Sequence, residues 1–92
     1  MVLLKYFFIQ IYLMEIAYVL INCDLGSEDT VIEDLKHIDS VKEVQGTFGA
    51  YDIIAKVENQ KRDKIKETII WNIRKLEHVR STLSLMTIPE QN

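Results

Sequence analysis

Apolar residues follow two periods along this chain. Four segments alternate or run continuously, and two show the three-to-four spacing of a helix. The first segment, 15–23, carries Ile16, Ala17, Tyr18, Val19, Leu20 and Ile21 without interruption. Strand side chains alternate between faces, so an unbroken run predicts a strand covered on both sides. Leu25-Gly26 turns the chain, and Ser27, Glu28 and Asp29 predict a helix start. A serine hydroxyl suits the first free amides, and acids suit the positive end of the helix dipole. Val31, Leu35 and Ile38 share one helical stripe flanked by Ile32, with Lys36 and His37 in the last turn, which predicts a helix over 27–38.

Asp39-Ser40 breaks this pattern. Val41 to Phe48 reads as a second strand, its Lys42, Glu43 and Gln45 marking an exposed or edge position. After a turn at Gly49-Ala50, Tyr51, Ile53, Ala55 and Val57 fall on one face and Asp52, Ile54, Lys56 and Glu58 on the other, up to Asn59-Gln60. A second helix spans about 61–76, with Ile65, Ile69, Ile73 and Leu76 as its stripe and Ile70 beside them. Val79 to Ile88 forms the last strand, and Pro89 stops it. The order β-α-β-β-α-β predicts an α+β, ferredoxin-like sandwich: a four-stranded antiparallel sheet with two helices on one face.

Helices on one face leave the other bare, yet strand one is apolar on both faces and Ile54 faces outward. Burying apolar area contributes about 25 cal/mol per Å², so two or three wet side chains of this size cost several kcal/mol. A dimer closed sheet to sheet, of the α+β barrel type, is the expected solution.

Composition agrees with that picture. Ninety-two residues make one small domain, and 48% of them are hydrophobic, more than so small a core absorbs. The formal net charge of −3 opposes nucleic-acid binding, which draws on clustered Lys and Arg. The single cysteine, Cys23, excludes an intramolecular disulfide and reads as buried core filler in a reducing cytoplasm. Residues 1–13 are very apolar but lack the basic start and small-residue cleavage point of a signal peptide. Gln10 and Glu15 interrupt the run that a membrane span needs. Residues 1–13 therefore read as an upstream extension, an extra strand or a cover for an apolar surface, and residues 14–92 as the domain.

Catalytic chemistry is sparse. His37 and His78 share no ligand spacing and read as surface or capping residues, CxxC is absent, and no base accompanies Ser81 or Ser84. Neither an enzyme, a metal nor a cofactor is expected. An RNA-recognition domain of the same topology would need stacking aromatics in basic surroundings. Tyr18 and Tyr51 lie on suitable strands, but Asp52, Glu58 and the acidic balance oppose it. Trp71 lies nearly opposite the core stripe among Lys64, Glu67, Arg74 and Lys75, and reads either as a half-covered indole or as an interface anchor.

The remaining polar feature is Gly46-Thr-Phe-Gly-Ala-Tyr-Asp52. Its glycines expose backbone amides that suit a carboxylate, and Asp52 suits an ammonium; Thr82 and Ser84, two apart on strand four, add hydroxyls. Together these suit a zwitterion such as an amino acid. The alternative is that Asp52 caps its own turn and the hydroxyls bond locally.

Tyr18-Val-Leu-Ile-Asn, Val41-Lys-Glu-Val, Gly49-Ala-Tyr-Asp-Ile-Ile-Ala-Lys-Val57 and Val79-Arg-Ser-Thr-Leu-Ser-Leu resemble the C-terminal domain of Lrp/AsnC (feast/famine) transcription regulators over about residues 15–88. The resemblance implies dimers formed through the sheets, rings of four or more dimers such as octamers, and amino-acid effectors bound between dimers. Carried over by position, Gly49, Tyr51, Asp52, Thr82 and Ser84 become the candidate effector contacts. The family's usual glycine before the last strand is here His78, after Glu77. Full-length members carry a helix-turn-helix of about fifty residues, for which nothing before Met14 has room, so the chain resembles the stand-alone effector domain. The expectation is a cytoplasmic sensing and oligomerisation module that pairs with itself or with full-length regulators and does not bind DNA or membranes itself. A purely structural co-assembly module is the alternative, and a small cofactor-independent monooxygenase of similar dimeric fold a distant third.

Overall fold

Strand β1 (Glu15–Cys23) runs through the interior of the sheet, and every other element is arranged about it. The computed structural model describes residues 14–88; the readings made for 1–13 and for Pro89 lie outside the described residues. After β1 come α1 (Glu28–Lys36), β2 (Val41–Gly46), β3 (Ile53–Asn59), α2 (Arg62–Glu67, continued by a wider helical turn over Thr68–Ile73) and β4 (Val79–Met86). The sheet has the order β2-β3-β1-β4 with every pairing antiparallel, which is the α+β, ferredoxin-like arrangement that the element order predicts.

The element ends differ from the sequence reading for local reasons. Ser27 makes no side-chain cap to α1. Its backbone does the work instead: Ser27 N donates to Asp24 O at 3.0 Å, and Val31 N donates to Ser27 O at 3.0 Å. Gly26, at φ 84°, permits this tight entry without a Cβ penalty. Strand β2 stops at Gly46, not Phe48, because Thr47 N turns to Asp52 O at 2.9 Å and closes the loop. Strand β4 ends at Met86, after which the Thr87 amide and hydroxyl both donate to Ile16 O, each at 3.0 Å.

Helix α2 departs most from a regular spacing. It is α-helical only to Glu67; then Arg74 N bonds to Ile69 O at 3.0 Å, five residues back, as in a π turn. Thr68 opens that turn, buried, with its hydroxyl donating to Lys64 O at 2.9 Å. A hydroxyl competing for a helix carbonyl bends the ladder at that point. The stripe Ile65, Ile69 and Ile73 is buried as its spacing predicts, whereas Ile70 is 42% exposed.

Register assigns the faces. Ala17, Val19 and Ile21 oppose Val57, Ala55 and Ile53, and all six are buried against Val31 and Leu35 of α1 and the α2 stripe. The alternate positions, Ile16, Tyr18, Leu20 and Ile54, lie on the face without helices, joined by Leu83 and Leu85 of β4, which are 45% and 52% exposed. Lys56 Nζ and Glu58 Oε1 form an ion pair at 3.1 Å on that same open face. The hydrogen bond to Glu58 holds the Lys56 amine above its usual range, against the opposing effect of burial.

Cys23 closes β1 on the core side, buried as the sequence reading expects. Burial pushes its thiol above the ordinary 9.0, assisted by the negative charges of Asp52 and Glu28. Near neutral pH it is a protonated, packed group.

Two outcomes follow from these placements. Ile73→Ala should destabilise the fold by about 2–5 kcal/mol, and Ile70→Ala by well under half of that, read from urea unfolding midpoints at constant slope. For Cys23 the raised pKa has a definite sign. The unfolded thiol ionises first as pH climbs past 9.0, so stability falls from there through the folded pKa and is unchanged at neutral pH. Thermal melts of wild type and Cys23→Ala between pH 8 and 11 should diverge only above about pH 9; parallel curves would remove this contribution.

Candidate functional site

The loop after β2 is built to deliver Asp52 to the end of β1. Thr47 bonds across it twice, its amide to Asp52 O and its hydroxyl to Tyr51 O. Between them Gly49 has φ 151°, a conformation that L side chains rarely adopt, so glycine is required there by the backbone. Asp52 N then donates to Ile21 O at 3.0 Å, and Asp52 Oδ2 accepts from Cys23 N at 3.0 Å. The carboxylate thus caps the amide at the last residue of β1.

A β-bulge faces it from the other side of β1. Asn22 pairs with Ser81 and Cys23 with Val79, so Arg80 is an extra residue with no counterpart on β1. His78 enters the strand at φ 76°, the left-handed region that glycine occupies without strain. Compensating bonds run to Asp24, whose amide donates to His78 O at 2.8 Å and whose Oδ2 lies 3.2 Å from His78 Nδ1. Arg80 Nε sits 3.9 Å from the same residue's Oδ1.

Between the Asp52 loop and the bulge lies a cleft of about 410 Å³ lined by Asn22, Cys23, Asp52, Arg80 and Ser81. Asn22 and Ser81 alternate with the inward Ile21 and Thr82, so the cleft opens at the end of the helix-free face. A second cleft, of about 520 Å³, lies at the opposite end of the sheet beside Met14, Ser40 and the exposed lysines 42, 61 and 64. Asp39 and Glu58 also line it, but Glu58 is already paired with Lys56 and the exposed lysines surround it.

The five residues singled out in the sequence are divided by the sheet. Gly49, Tyr51 and Asp52 share one loop, and Asp52 lines the cleft. Thr82 and Ser84 oppose Ile21 and Val19 and so face the helices. Thr82 Oγ1 accepts from Arg74 Nε at 3.1 Å, and Ser84 Oγ is buried without a partner among the described residues. The bulge explains the difference: Val79 packs on the core, the extra Arg80 shifts the alternation, and Leu83 and Leu85 then turn outward. Asn22, Arg80 and Ser81 were not among the site candidates because no residue type marks a bulge. Their only sequence signal is the polar cluster at the start of an otherwise alternating strand.

The remaining chemistry-bearing residues sit elsewhere. His37 Nδ1 lies 2.8 Å from Glu33 O at the end of α1. Trp71 is 65% exposed, with Lys75 Nζ 5.4 Å from its ring centre. Among the described residues no group of three or more metal-ligating side chains occurs, and no helix is long and apolar enough to cross a membrane.

Residues 16–91 match the family model of the Lrp/AsnC ligand binding domain. A comparison with curated proteins gave no match. Among solved structures, the chain is similar to the hypothetical protein PHS023 from Pyrococcus horikoshii, at 32% identity and a TM-score of 0.77, over 83% of this chain and 92% of that one. It is similar to FFRP-DM1 at 31% identity and a TM-score of 0.77, over 80% of this chain and 99% of that one. The fold also matches the transcriptional regulator NMB0573 from Neisseria meningitidis, solved as a complex with L-Met, at 10% identity and a TM-score of 0.76, over 89% of this chain and 55% of that one. The chain thus spans nearly all of two of these proteins and about half of the third. With the family model matching over most of its length, this chain belongs to the Lrp/AsnC family, as its ligand-binding domain.

Proposed function

We propose that the domain senses an amino acid at the Asp52 cleft and responds through association of copies of this chain, in the service of transcription regulation. The observation that carries the reading is the cleft itself: an acidic side chain anchored between two strands, open to the helix-free face. Gly49 and Tyr51 shape the loop that carries Asp52, and Thr82, on the helix side with Ser84, ties β4 to Arg74. The solved complex of NMB0573 with L-Met gives an amino-acid ligand in a protein of the same fold. The apolar open face, with Tyr18, Leu20, Ile54, Leu83 and Leu85, supports a sheet-to-sheet dimer, from which larger rings and pairing with full-length regulators extend. A ligand at an interface shifts assembly by its differential affinity for the two states. The reading is of recognition, not catalysis, in a cytoplasm that keeps Cys23 reduced.

One observation favours the rival, a ligand-free assembly module: Asp52 Oδ2 is already engaged by Cys23 N. Asp52→Asn separates the two, because an amide oxygen keeps that bond while the negative charge is lost. Thermal-shift measurements with each of the twenty common amino acids at millimolar concentration should raise the wild-type melting temperature for at least one. Asp52→Asn should lose that shift at unchanged oligomer mass by light scattering. No shift with any amino acid leaves the assembly module standing.

Dimerisation has its own test. Burying one leucine contributes about 1.5–3 kcal/mol, so Leu85→Glu should weaken self-association at least about tenfold. Light scattering on a dilution series reads this directly, and an unchanged mass would show that the open face is not the contact.

A further inference from the structure

We propose that the helix layer is a second self-association surface, on which two copies of this chain pack about a twofold axis, α1 of each on α2 of the other, with Trp71 as the anchor. The contact lies across the sheet from the apolar open face and needs no ligand.

The two helices differ in charge. The outward side of α1, opposite the buried Val31 and Leu35, presents the exposed Asp29 and Glu33. Glu28 and Asp34 flank them, and the single basic residue of the helix is Lys36 in its last turn. Asp24, just before α1, is engaged by His78 and Arg80. The C-terminal half of α2 is the reverse: residues 68–76 hold Arg74 and Lys75 and no acid. Glu67, one turn before Trp71, is paired with Lys64 at 3.2 Å, and Glu77 follows at the exit. Arg74 is held to β4 by Thr82 and Lys75 lies over the indole, so neither has an acid partner among the described residues.

Trp71 and Ile70 supply the apolar part. They lie side by side in the widened turn Thr68–Ile73, 65% and 42% exposed. Exposed ion pairs contribute little by themselves, whereas a tryptophan withdrawn from water at the centre of a contact carries much of its energy. The indole therefore provides affinity, and the charges provide orientation.

Position along the helices fixes the pairing. Asp24 N donates to His78 O at 2.8 Å, so the start of α1 and the exit of α2 lie at one end of the molecule. Two layers laid face to face have two simple twofold arrangements. An axis running along the helices sets α1 over α2 of the other copy without shifting either lengthwise. The acidic first turns of α1 then meet the basic last turn of α2 and Trp71. An axis running across the helices sets α1 on α1 and α2 on α2, like charge on like. Charge thus selects the first arrangement, and symmetry makes the contact twice.

The experiment uses the full chain, with mass from light scattering and the emission of Trp71, the only tryptophan, read over a dilution series. Wild type should associate beyond a sheet-to-sheet pair, and Trp71 emission should move to shorter wavelength as the mass rises. Lys75→Glu and Glu33→Lys should each need at least about tenfold higher concentration for that step, at unchanged far-UV circular dichroism. Mixed one to one they should regain it. Reversed α2 then meets reversed α1 in one half of the contact, and the natural helices meet in the other. A mixture that recovers nothing overturns the proposal, and so does constant Trp71 emission while the mass rises. Leu85→Glu separates the two surfaces, since it should leave the helix contact and its emission change in place. Association that Leu85→Glu abolishes and Lys75→Glu leaves untouched overturns the helix contact while the sheet-to-sheet dimer stands.

Discussion

The register of β1 against its two neighbours is the constraint on which the rest depends. Ile21 stands opposite Ile53 on one side and Thr82 on the other, and side chains alternate from there. A slip of one residue would exchange Ala17, Val19 and Ile21 for Ile16, Tyr18 and Leu20 beneath the helices, and would move the small residues to the outside. Two features hold the register at the C-terminal end of β1: the Asp52 carboxylate on Cys23 N and the bulge at Arg80. The features that pin the strand also enclose the cleft. Architecture and the proposed recognition therefore share residues, and a substitution there has to be judged on both counts.

The domain has two kinds of surface left to use. The helix-free face is broad and apolar, crossed by the Lys56–Glu58 pair, and suits another sheet. The cleft at its end is polar and charged with both signs. In the proposed function their adjacency is the physical route from ligand to assembly, because a molecule bound at the edge of a contact surface changes what a neighbouring copy meets. Trp71 and Ile70 lie apart, on the outer side of α2 where the helix widens. The sequence left Trp71 open between a covered indole and an interface anchor; it is more exposed than the first reading requires, and Lys75 covers part of the ring.

Much was legible in the residues themselves. Strand and helix periods are local: a run such as Ile16 to Ile21 or a stripe such as Ile65, Ile69 and Ile73 reports which positions a core must take, whatever the chain does elsewhere. The element order followed, then the sheet, then the bare face. The importance of Asp52 was also readable, since a single acid at the entry of a β-branched strand needs a partner. What the periods could not carry was the phase of β4. The structure sends Leu83 and Leu85 outward and Thr82 and Ser84 toward the helices.

The sequence by itself thus determined the fold class, the buried stripes, the surplus of apolar surface and the Asp52 loop, because each depends on short-range spacing and composition. Only the tertiary structure decided that Cys23 N donates to the Asp52 carboxylate, that His78 takes a glycine-like turn, and that Arg80 is the bulge residue lining the cleft. Those depend on how two strands distant in sequence align, and a bulge arises from that alignment. No residue type announces it; it appears where β1 and β4 must pair over their length while Asp24 and His78 close the end.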